Sequence, residues 1–316
     1  ANVFFDTSSW PNYGELTNQK LENMEGETDA SFGRRSPHDF ALFKAHKADE
    51  PQSASWQTPW GLARPGWHIE CSAMAKHFLG ESFDIHGGGL DLRFPHHENE
   101  LAQSKAAGDR FANNWMHNAL ITINGNKMSK SLGNGVNVAE LSKQGSWAAI
   151  RYWLISANYR SNLDYQAGSI LEAQTALDRV IGFIRRTGLD REVNLAALPA
   201  DFIAAMDSDL NIPAGLAVLH EKVRVGNQAI DNASDEVVIA FDAVRAMLHV
   251  LGLDFALLQK QVEPELIEKI EELISKRNSA KGSGDFAAAD SIRAELQGMG
   301  VTIKDMPDKT IWSIDG

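Results

Sequence analysis

The sequence predicts an α/β domain followed by an all-α helical bundle and a small carboxy-terminal α+β module. Three observations lead to this fold class. Between residues 67 and 123, helical and extended segments alternate, which is the order that a parallel α/β sheet gives. From residue 148 onward, nearly every segment has apolar residues at helical spacing with short connections, which is typical of an antiparallel bundle. The stretch 280–316 combines one further helix with two short extended segments.

The first 65 residues are rich in turn formers and tryptophan. Val3–Asp6 predicts a strand that begins without any lead, so we expect the chain to start inside a domain. Asp39–Lys44 predicts a short buried strand. Ser55–Pro65 predicts a loop that is held by its prolines and by Trp56 and Trp60.

The α/β region follows, and its first helix has Ile69, Ala73, Met74 and Phe78 on one side. The predicted elements are a helix at 67–79, a strand at Phe83–His86 leading into Gly87–Gly89, a helix from about Pro95 to Ala107, and a strand at Ala119–Ile123.

The helices of the bundle and of the terminal module follow from the same periodicity. They are predicted at Ala148–Ser156, Ser169–Arg186, Ala200–Leu210, Ala214–Asn232, Ser234–Leu251 and Glu263–Lys276, with a last helix through Phe286, Ala289, Ile292 and Leu296. Val301–Lys304 and Thr310–Trp312 would then pair as a small hairpin.

Composition limits the class of protein. The chain has 316 residues, enough for two or three domains, and no stretch approaches the roughly 20 apolar residues of a membrane helix. No signal peptide is visible, and one cysteine excludes an internal disulfide framework, so we expect a cytoplasmic location. The net charge of −12 argues against a protein that coats nucleic acid, although a local basic face can still recognise RNA.

A metal site is the first chemical hypothesis. His96 and Glu100 lie four residues apart on a predicted helix and so share one face, while Cys71 would have to approach from another helix. All three side chains are competent zinc ligands, and three protein ligands leave a position open for a substrate or water. His97 competes with His96, but its partner four residues on is Leu101. The alternatives are a cysteine that only fills the core and a helix with an ordinary polar face.

A phosphate site is the second hypothesis. After the predicted turn Asn124–Asn126, the run Lys127-Met128-Ser129-Lys130-Ser131 places two lysines on a glycine-flanked loop, where they can stabilise charge that develops at a phosphorus atom. The glycine pattern of a P-loop is missing, so a solvated basic loop is the alternative. Gly87–Gly89 would let a nucleotide approach the backbone, with Asp91 free to hold an amine or a ribose hydroxyl. The alternative is that this glycine run forms a plain turn.

Together, these residues resemble a known family. The run at 127–131 is similar to the KMSKS signature of class I aminoacyl-tRNA synthetases, and several further segments resemble cysteinyl-tRNA synthetases specifically. These segments are Gly66–Met74, Asp84–Leu92, Phe94–Glu100 and, in the tail, Asp285–Asp290. The resemblance covers essentially the whole chain.

The resemblance implies a domain order and residue roles. It implies the end of an insertion at residues 1–65, the second half of a Rossmann-like catalytic domain at 66–164, a helical tRNA-binding bundle at 165–254 and an anticodon-recognising module at 255–316. It implies Cys71, His96 and Glu100 as zinc ligands, Trp67 and Asp91 as substrate-binding residues, and Lys127 and Lys130 as catalytic lysines. Met128, Ser129, Ser131, Gly87 and Gly89 would join these lysines in binding ATP.

The chain also departs from the family pattern. It has no His-x-Gly-His motif and no second cysteine to act as a fourth zinc ligand. The resemblance therefore implies an amino-terminally truncated synthetase, for which the missing half of the catalytic domain would be a partner and stand-alone adenylation stays open.

The implied reaction is the ATP-dependent attachment of cysteine to its tRNA, with Mg²⁺ accompanying ATP, one zinc ion per chain and no membrane partner. Direct coordination of the substrate thiol would reject serine, and no candidate editing domain is visible in this length. Two alternatives stay open: a cysteine ligase of mycothiol synthesis, and a synthetase-derived tRNA-binding fragment without catalysis.

Overall fold

In the computed structural model, the described residues are 1–24, 33–128, 133, 135–254, 264–305 and 310–314. They divide into two compact units. The first contains residues 1–122 and 159–163, and the second contains residues 123–158 and 164–316. Across the described ranges, no helix has the length and apolar character needed to cross a membrane. The four-domain division stays a prediction.

A four-stranded antiparallel sheet opens the first unit. Its strands are β1 (Val3–Phe5), β2 (Phe40–Ala45), β3 (Trp56–Thr58) and β4 (Gly61–Pro65), in the order β1-β2-β4-β3. The first two strands confirm the sequence prediction.

The predicted loop at Ser55–Pro65 is wrong, because this segment forms the hairpin of β3 and β4. The Thr58 hydroxyl donates a hydrogen bond of 2.6 Å to the carbonyl of Gly61 and closes the turn, and Ala63 is fully buried. Pro59 lies in the turn and Pro65 ends the strand, where the missing N–H groups interrupt no ladder.

Two parallel strands follow in the first unit. Helix α1 (Trp67–Leu79) precedes β5 (Ser82–Gly89), which pairs in parallel with β6 (Phe111–Asn118), and α2 (Glu98–Ala106) connects these two strands. The predicted helix at 67–79 is confirmed, but on its predicted apolar side Met74 and Phe78 are exposed.

The glycine run Gly87–Gly89 continues β5 instead of forming a turn, and β6 was not predicted. Both differences arise from parallel pairing, since Gly87 and Gly88 lie opposite Met116 and His117 in the register. The sequence of a polar stretch such as Asn113–Asn114 does not reveal that it pairs with a distant strand.

The entry to α2 is irregular. Arg93–His97 form a π-helical turn in which Phe94 is extended, with φ −140° and ψ 135°, so that regular α-helix begins only at Glu98. The predicted helix at Pro95–Ala107 is therefore confirmed for its body but not for its first turn. This turn places His96 and His97 side by side, and both are buried.

A three-stranded sheet consists of β7 (Ile121–Ile123), β8 (Asn126–Lys127) and β9 (Leu163–Tyr165), in the order β8-β7-β9. Asn124 and Gly125 both have positive φ, 50° and 77°, which is the backbone of a type I′ hairpin turn. The predicted turn at this position is confirmed.

The second unit is mainly helical, as predicted. Its helices before the gap at 255–263 are α3 (Val138–Leu141), α4 (Trp147–Ile155), α5 (Ser169–Thr187), α6 (Ala200–Asp207), α7 (Ile212–Asp231) and α8 (Glu236–Val250). Helices α5, α7 and α8 contribute fully buried apolar side chains such as Leu177, Leu219 and Phe241. At Gly226 of α7 a Cβ would lie 2.4 Å from the ring of Phe183, so close packing requires glycine there.

The terminal part contains α9 (Pro264–Gly282), α10 (Phe286–Gly298) and an antiparallel hairpin of β10 (Val301–Asp305) and β11 (Thr310–Ile314). The predicted hairpin is confirmed. Ile270, Leu273, Ile274, Leu296 and Val301 form the small core between these two helices and the hairpin. The carboxylate of Asp305 accepts two hydrogen bonds from Arg277, at 2.8 and 2.9 Å, and one from Lys281 at 2.8 Å.

Candidate metal centre

Three potential metal ligands converge in the first unit. Cys71 on α1, His96 in the π-turn and Glu100 on α2 each offer one ligand atom, and these atoms all lie within 4.8 Å of one another. His96 and Glu100 are buried, and Cys71 is partly buried. The structure thus brings together the thiol, imidazole and carboxylate that the sequence singled out, from two separate helices.

The carboxylate of Glu100 has the character of a cation ligand. Its side chain is 0% exposed, and neither oxygen accepts a hydrogen bond of acceptable geometry. Nε2 of His96 lies 2.6 Å from Oε1, and Nε2 of His86 lies 3.1 Å from Oε2. A buried carboxylate without full hydrogen bonding is costly, and a bound cation would offset that cost. The donor set therefore fits zinc.

Burial raises the pKa of the Cys71 thiol, and the neighbouring charges of Glu100 and Glu70 raise it further. The thiol form is therefore favoured by the protein alone. A divalent cation beside the sulfur reverses this preference, because metal coordination deprotonates a thiol.

A histidine lies on the other side of His96. Nδ1 of His68, in the first turn of α1, lies 2.7 Å from Nδ1 of His96. The two ring nitrogens of His96 thus face opposite ways, with Nε2 towards Glu100 and Nδ1 towards His68. Burial lowers the pKa of His96, so its imidazole is neutral near pH 7 and carries one proton.

More histidines line the inner side of the cluster. His86, His97 and Glu100 form a second group whose ligand atoms lie within 4.8 Å of one another. Nδ1 of His97 lies 2.8 Å from Nε2 of His117 on β6. Burial, together with His86, His117 and His96, lowers the pKa of His97 to about 3. The imidazole of His97 is therefore neutral near pH 7, beside the carboxylate of Glu100.

Helices α1 and α2 are held together next to the ligands. The hydroxyl of Ser72, beside Cys71, donates a hydrogen bond of 2.6 Å to Oε1 of Gln103 on α2. On its other side, α2 is held by Glu98, whose carboxylate accepts hydrogen bonds of 2.9 Å from the backbone N–H groups of Gly14 and Thr17. Glu100 thus lies on a helix that is held by hydrogen bonds to α1 and to the Gly14–Thr17 segment.

The predicted substrate residues lie in the same unit. The indole of Trp67 is 58% exposed, and its centroid lies 4.1 Å from that of the His96 ring. Asp91 is exposed in the short 3-10 turn after β5. A Cβ on Gly89 would lie 2.4 Å from Oδ1 of Asp91, and one on Gly88 would lie 2.9 Å from the ring of His97. Glycine at these two positions leaves room for those side chains.

Comparison with known proteins identifies the family of this chain. The family model "tRNA synthetases class I (C) catalytic domain" matches residues 1–175, the "DALR domain" matches 201–256, and the "Cysteinyl-tRNA ligase anticodon binding domain" matches 263–312. The cysteine–tRNA ligase of Leifsonia xyli subsp. xyli is 51% identical over 100% of this chain and 69% of its own length. The chain belongs to the cysteine–tRNA ligase family.

Two further relatives support the family membership. The cysteine–tRNA ligase of Clavibacter michiganensis subsp. michiganensis is 48% identical over 100% of this chain and 69% of its own. The cysteine–tRNA ligase of Paenarthrobacter aurescens is 49% identical over 99% of this chain and 67% of its own length. The resemblance to class I aminoacyl-tRNA synthetases is confirmed. The members of the cysteine–tRNA ligase family are enzymes.

A solved LeuRS–tRNA–LeuAMS ternary complex from Agrobacterium radiobacter K84 covers 70% of this chain and 36% of its own. Its TM-score is 0.48 and its sequence identity is 14%.

The KMSKS-like segment of this cysteine–tRNA ligase family member is described only in part. Lys127 ends β8 and is exposed, and Met128 follows it and is partly buried. Ser129, Lys130 and Ser131 lie outside the described residues. Lys127 belongs to the second unit, whereas the metal-ligand candidates belong to the first.

Sequence reasoning missed the histidines that surround the ligands. His68, His86 and His117 come from α1, β5 and β6, so no spacing within one helix connects them with His96 or Glu100. His68 lies only three residues before Cys71, and this is the one local signal that could have drawn attention to it.

Proposed function

We propose that this chain performs ATP-dependent attachment of cysteine to its tRNA through cysteinyl-adenylate, with zinc selecting the substrate thiol. The observation that carries the proposal is the convergence of Cys71, His96 and the fully buried Glu100, whose ligand atoms lie within 4.8 Å of one another. It is supported by relatives of about half-identical sequence that bear the name cysteine–tRNA ligase.

Cys71, His96 and Glu100 would hold the zinc ion. A bound zinc ion supplies a Lewis-acidic position that favours a thiolate strongly over a serine hydroxyl. An apolar pocket alone separates such near-isosteres by only about 1–3 kcal/mol. The burial of Glu100 and the neutral imidazoles of His96 and His97 would limit competition from water and charge at this carboxylate.

The substrate amino acid would lie beside Trp67 and Asp91. The indole of Trp67 packs against His96 and offers an apolar wall. The carboxylate of Asp91 would pair with the ammonium group of cysteine, and the room that Gly89 leaves for Oδ1 of Asp91 supports this role.

The KMSKS-like segment and the glycine run are two separate candidates for contacts with the nucleotide. Lys127 and Lys130 would stabilise the charge that develops when the cysteine carboxylate attacks the α-phosphorus of Mg·ATP and pyrophosphate leaves. Met128, Ser129 and Ser131 would also contact ATP, and Gly87 and Gly89 would allow close approach of the adenosine. The terminal adenosine hydroxyl of tRNA then takes the cysteinyl group, and AMP leaves.

The domain roles follow the same family pattern. Residues 66–164 would form the second half of a Rossmann-like catalytic domain after an insertion at 1–65. The parallel pair β5 and β6 with its crossover helix α2 supports this assignment. Residues 165–254 would contact tRNA, and residues 255–316 would read the anticodon; the anticodon-binding model that matches residues 263–312 supports the second role.

The two alternatives have less support. A mycothiol cysteine ligase would not need an anticodon-binding module, whereas residues 263–312 match the model of one. A tRNA-binding fragment without catalysis would have no need for a buried thiol–imidazole–carboxylate cluster.

The proposal is tested by cysteine-dependent and serine-dependent ATP–pyrophosphate exchange, measured beside zinc content, for the chain and for Cys71→Ser. We expect about one zinc per chain and exchange with cysteine only. Cys71→Ser should lower zinc content and reduce the cysteine-over-serine ratio by at least about tenfold, because a hydroxyl is a poor zinc ligand.

His77→Asn is the matched control, since His77 lies on the same helix but is exposed. An unchanged cysteine-over-serine ratio in Cys71→Ser would contradict zinc-based selection. Binding of tRNA without any exchange activity would favour the non-catalytic alternative.

A further inference from the structure

The imidazole of His96 can bind a metal through Nε2 in only one tautomer. Its Nε2 faces the carboxylate of Glu100 at 2.6 Å, on the side of the candidate ligand cluster. For Nε2 to offer its lone pair to a cation, the single proton of the neutral ring must lie on Nδ1. Whatever accepts a hydrogen bond from Nδ1 therefore favours the ligating tautomer.

The group that faces Nδ1 is another imidazole. Nδ1 of His68 lies 2.7 Å from Nδ1 of His96, which is hydrogen-bonding distance and requires one of the two nitrogens to donate and the other to accept. A metal-bound His96 has its proton on Nδ1, so His68 must then accept through Nδ1 and carry its own proton on Nε2.

We propose that His68 is a positioning residue of the metal centre: its Nδ1 accepts the hydrogen bond from Nδ1–H of His96 and so holds His96 in the tautomer and orientation that present Nε2 to the metal. The inference rests on the proposed zinc site and extends it to a residue outside the ligand set. Metal-ligating histidines need such a partner, which is more often a carboxylate or a carbonyl.

The surroundings of His68 suit this role. Its ring meets Phe40 edge-on, with centroids 5.7 Å apart, and stacks on Trp67 with centroids 5.9 Å apart. His68 and Cys71 lie in the same stretch of α1, so one helix carries both a ligand and the partner of another ligand. Oγ of Ser72 lies 3.2 Å from the carbonyl oxygen of His68 and donates its shorter hydrogen bond to Gln103, which links this turn to α2.

The test compares two substitutions of nearly the same size. Leu and Asn both place an atom the same number of bonds from Cα as Nδ1 of histidine, but only the Oδ1 of Asn can accept a hydrogen bond. Zinc dissociation constants of the full chain are measured by chelator competition for wild type, His68→Leu, His68→Asn and the exposed control His77→Leu. The absorption spectrum of each cobalt-substituted protein reports the ligand set independently.

We expect His68→Leu to weaken zinc binding by about 10- to 100-fold and His68→Asn to stay within about threefold of wild type. The cobalt spectrum of His68→Leu should lose intensity, and that of His68→Asn should match wild type. If His68→Leu does not fold, His68→Phe replaces it, since Phe keeps a ring against Phe40 and Trp67 but has no acceptor.

Zinc binding of His68→Leu within about threefold of wild type overturns the inference, as does His68→Asn binding as weakly as His68→Leu. Both results would leave the zinc site itself standing. If wild type binds no zinc tightly, or Cys71→Ser binds as well as wild type, the proposed metal site fails and the inference fails with it.

Discussion

Glu98 offers a quantitative test of how the ligand-bearing helix is held. Its side chain is 1% exposed and accepts three hydrogen bonds of 2.9 Å. Oε1 accepts from the N–H of Gly14, and Oε2 accepts from the N–H and the hydroxyl of Thr17. Glu98→Gln keeps the shape but turns one oxygen into an amide donor, which must face another donor.

The free-energy cost of Glu98→Gln follows from these contacts. The favoured amide orientation keeps the oxygen towards the two donors of Thr17 and places NH₂ against the N–H of Gly14. One charge-assisted hydrogen bond is then lost at about 1.5–3 kcal/mol, and two others weaken because the acceptor is neutral. The sum is about 3 kcal/mol, or roughly a hundredfold in the local opening equilibrium.

Amide hydrogen exchange measures this directly. We expect the amides of Gly14 and Thr17 to exchange roughly a hundredfold faster in Glu98→Gln. Glu15→Gln is the control, because Glu15 lies on the same segment and makes a partly exposed ion pair of 2.8 Å with Lys105, worth at most about 1 kcal/mol. Exchange within about threefold of wild type in Glu98→Gln, or equal acceleration by Glu15→Gln, would refute this account.

Two further predictions concern the second unit. Gly226→Ala should destabilise the helical bundle by about 1–3 kcal/mol in urea denaturation, because its Cβ would lie 2.4 Å from the ring of Phe183. Gly182→Ala on α5, where a Cβ meets nothing within 4 Å, should instead stabilise by about 0.5–1 kcal/mol, and equal effects of the two would contradict the packing argument. Hydrogen bonds from Arg277 and then Lys281 hold the pKa of Asp305 well below its ordinary value, so this contribution to stability is fully present above the unfolded pKa of about 4 and is lost as the pH falls below it. Asp305→Asn should lower the melting temperature of the terminal module at pH 7 and remove that acid sensitivity, whereas Glu272→Gln, in the exposed pair with Lys276, should change neither.

The elements that sequence predicted well are those whose pattern is local. The helix at Ser169–Arg186 is confirmed as α5, because its apolar period is long and unbroken. The spacing of His96 and Glu100 correctly placed both on one side of one segment, even though the first turn is a π-turn. The ligand roles themselves stay predictions.

The features that the sequence could not predict depend on contacts between distant segments. The hairpin at Ser55–Pro65 was missed because prolines at its turn and its end gave it the composition of a loop. Strand β6 is polar, and its pairing with β5 decides its conformation. His68 and His86 reach the candidate metal centre from α1 and β5, and nothing in the chain between them and α2 marks that meeting.

The turn of helix from Glu98 to Glu100 connects the opening of a distant backbone segment with the binding of a cation. Glu98 fastens the segment at Gly14–Thr17, some eighty residues earlier, and Glu100 faces the candidate ligands. Where opening of that early segment also frays the turn, a cation that binds the ordered turn more tightly than the frayed one protects the segment by the same free energy. The exchange rate of the Thr17 amide would then report how fully the chain is loaded with metal.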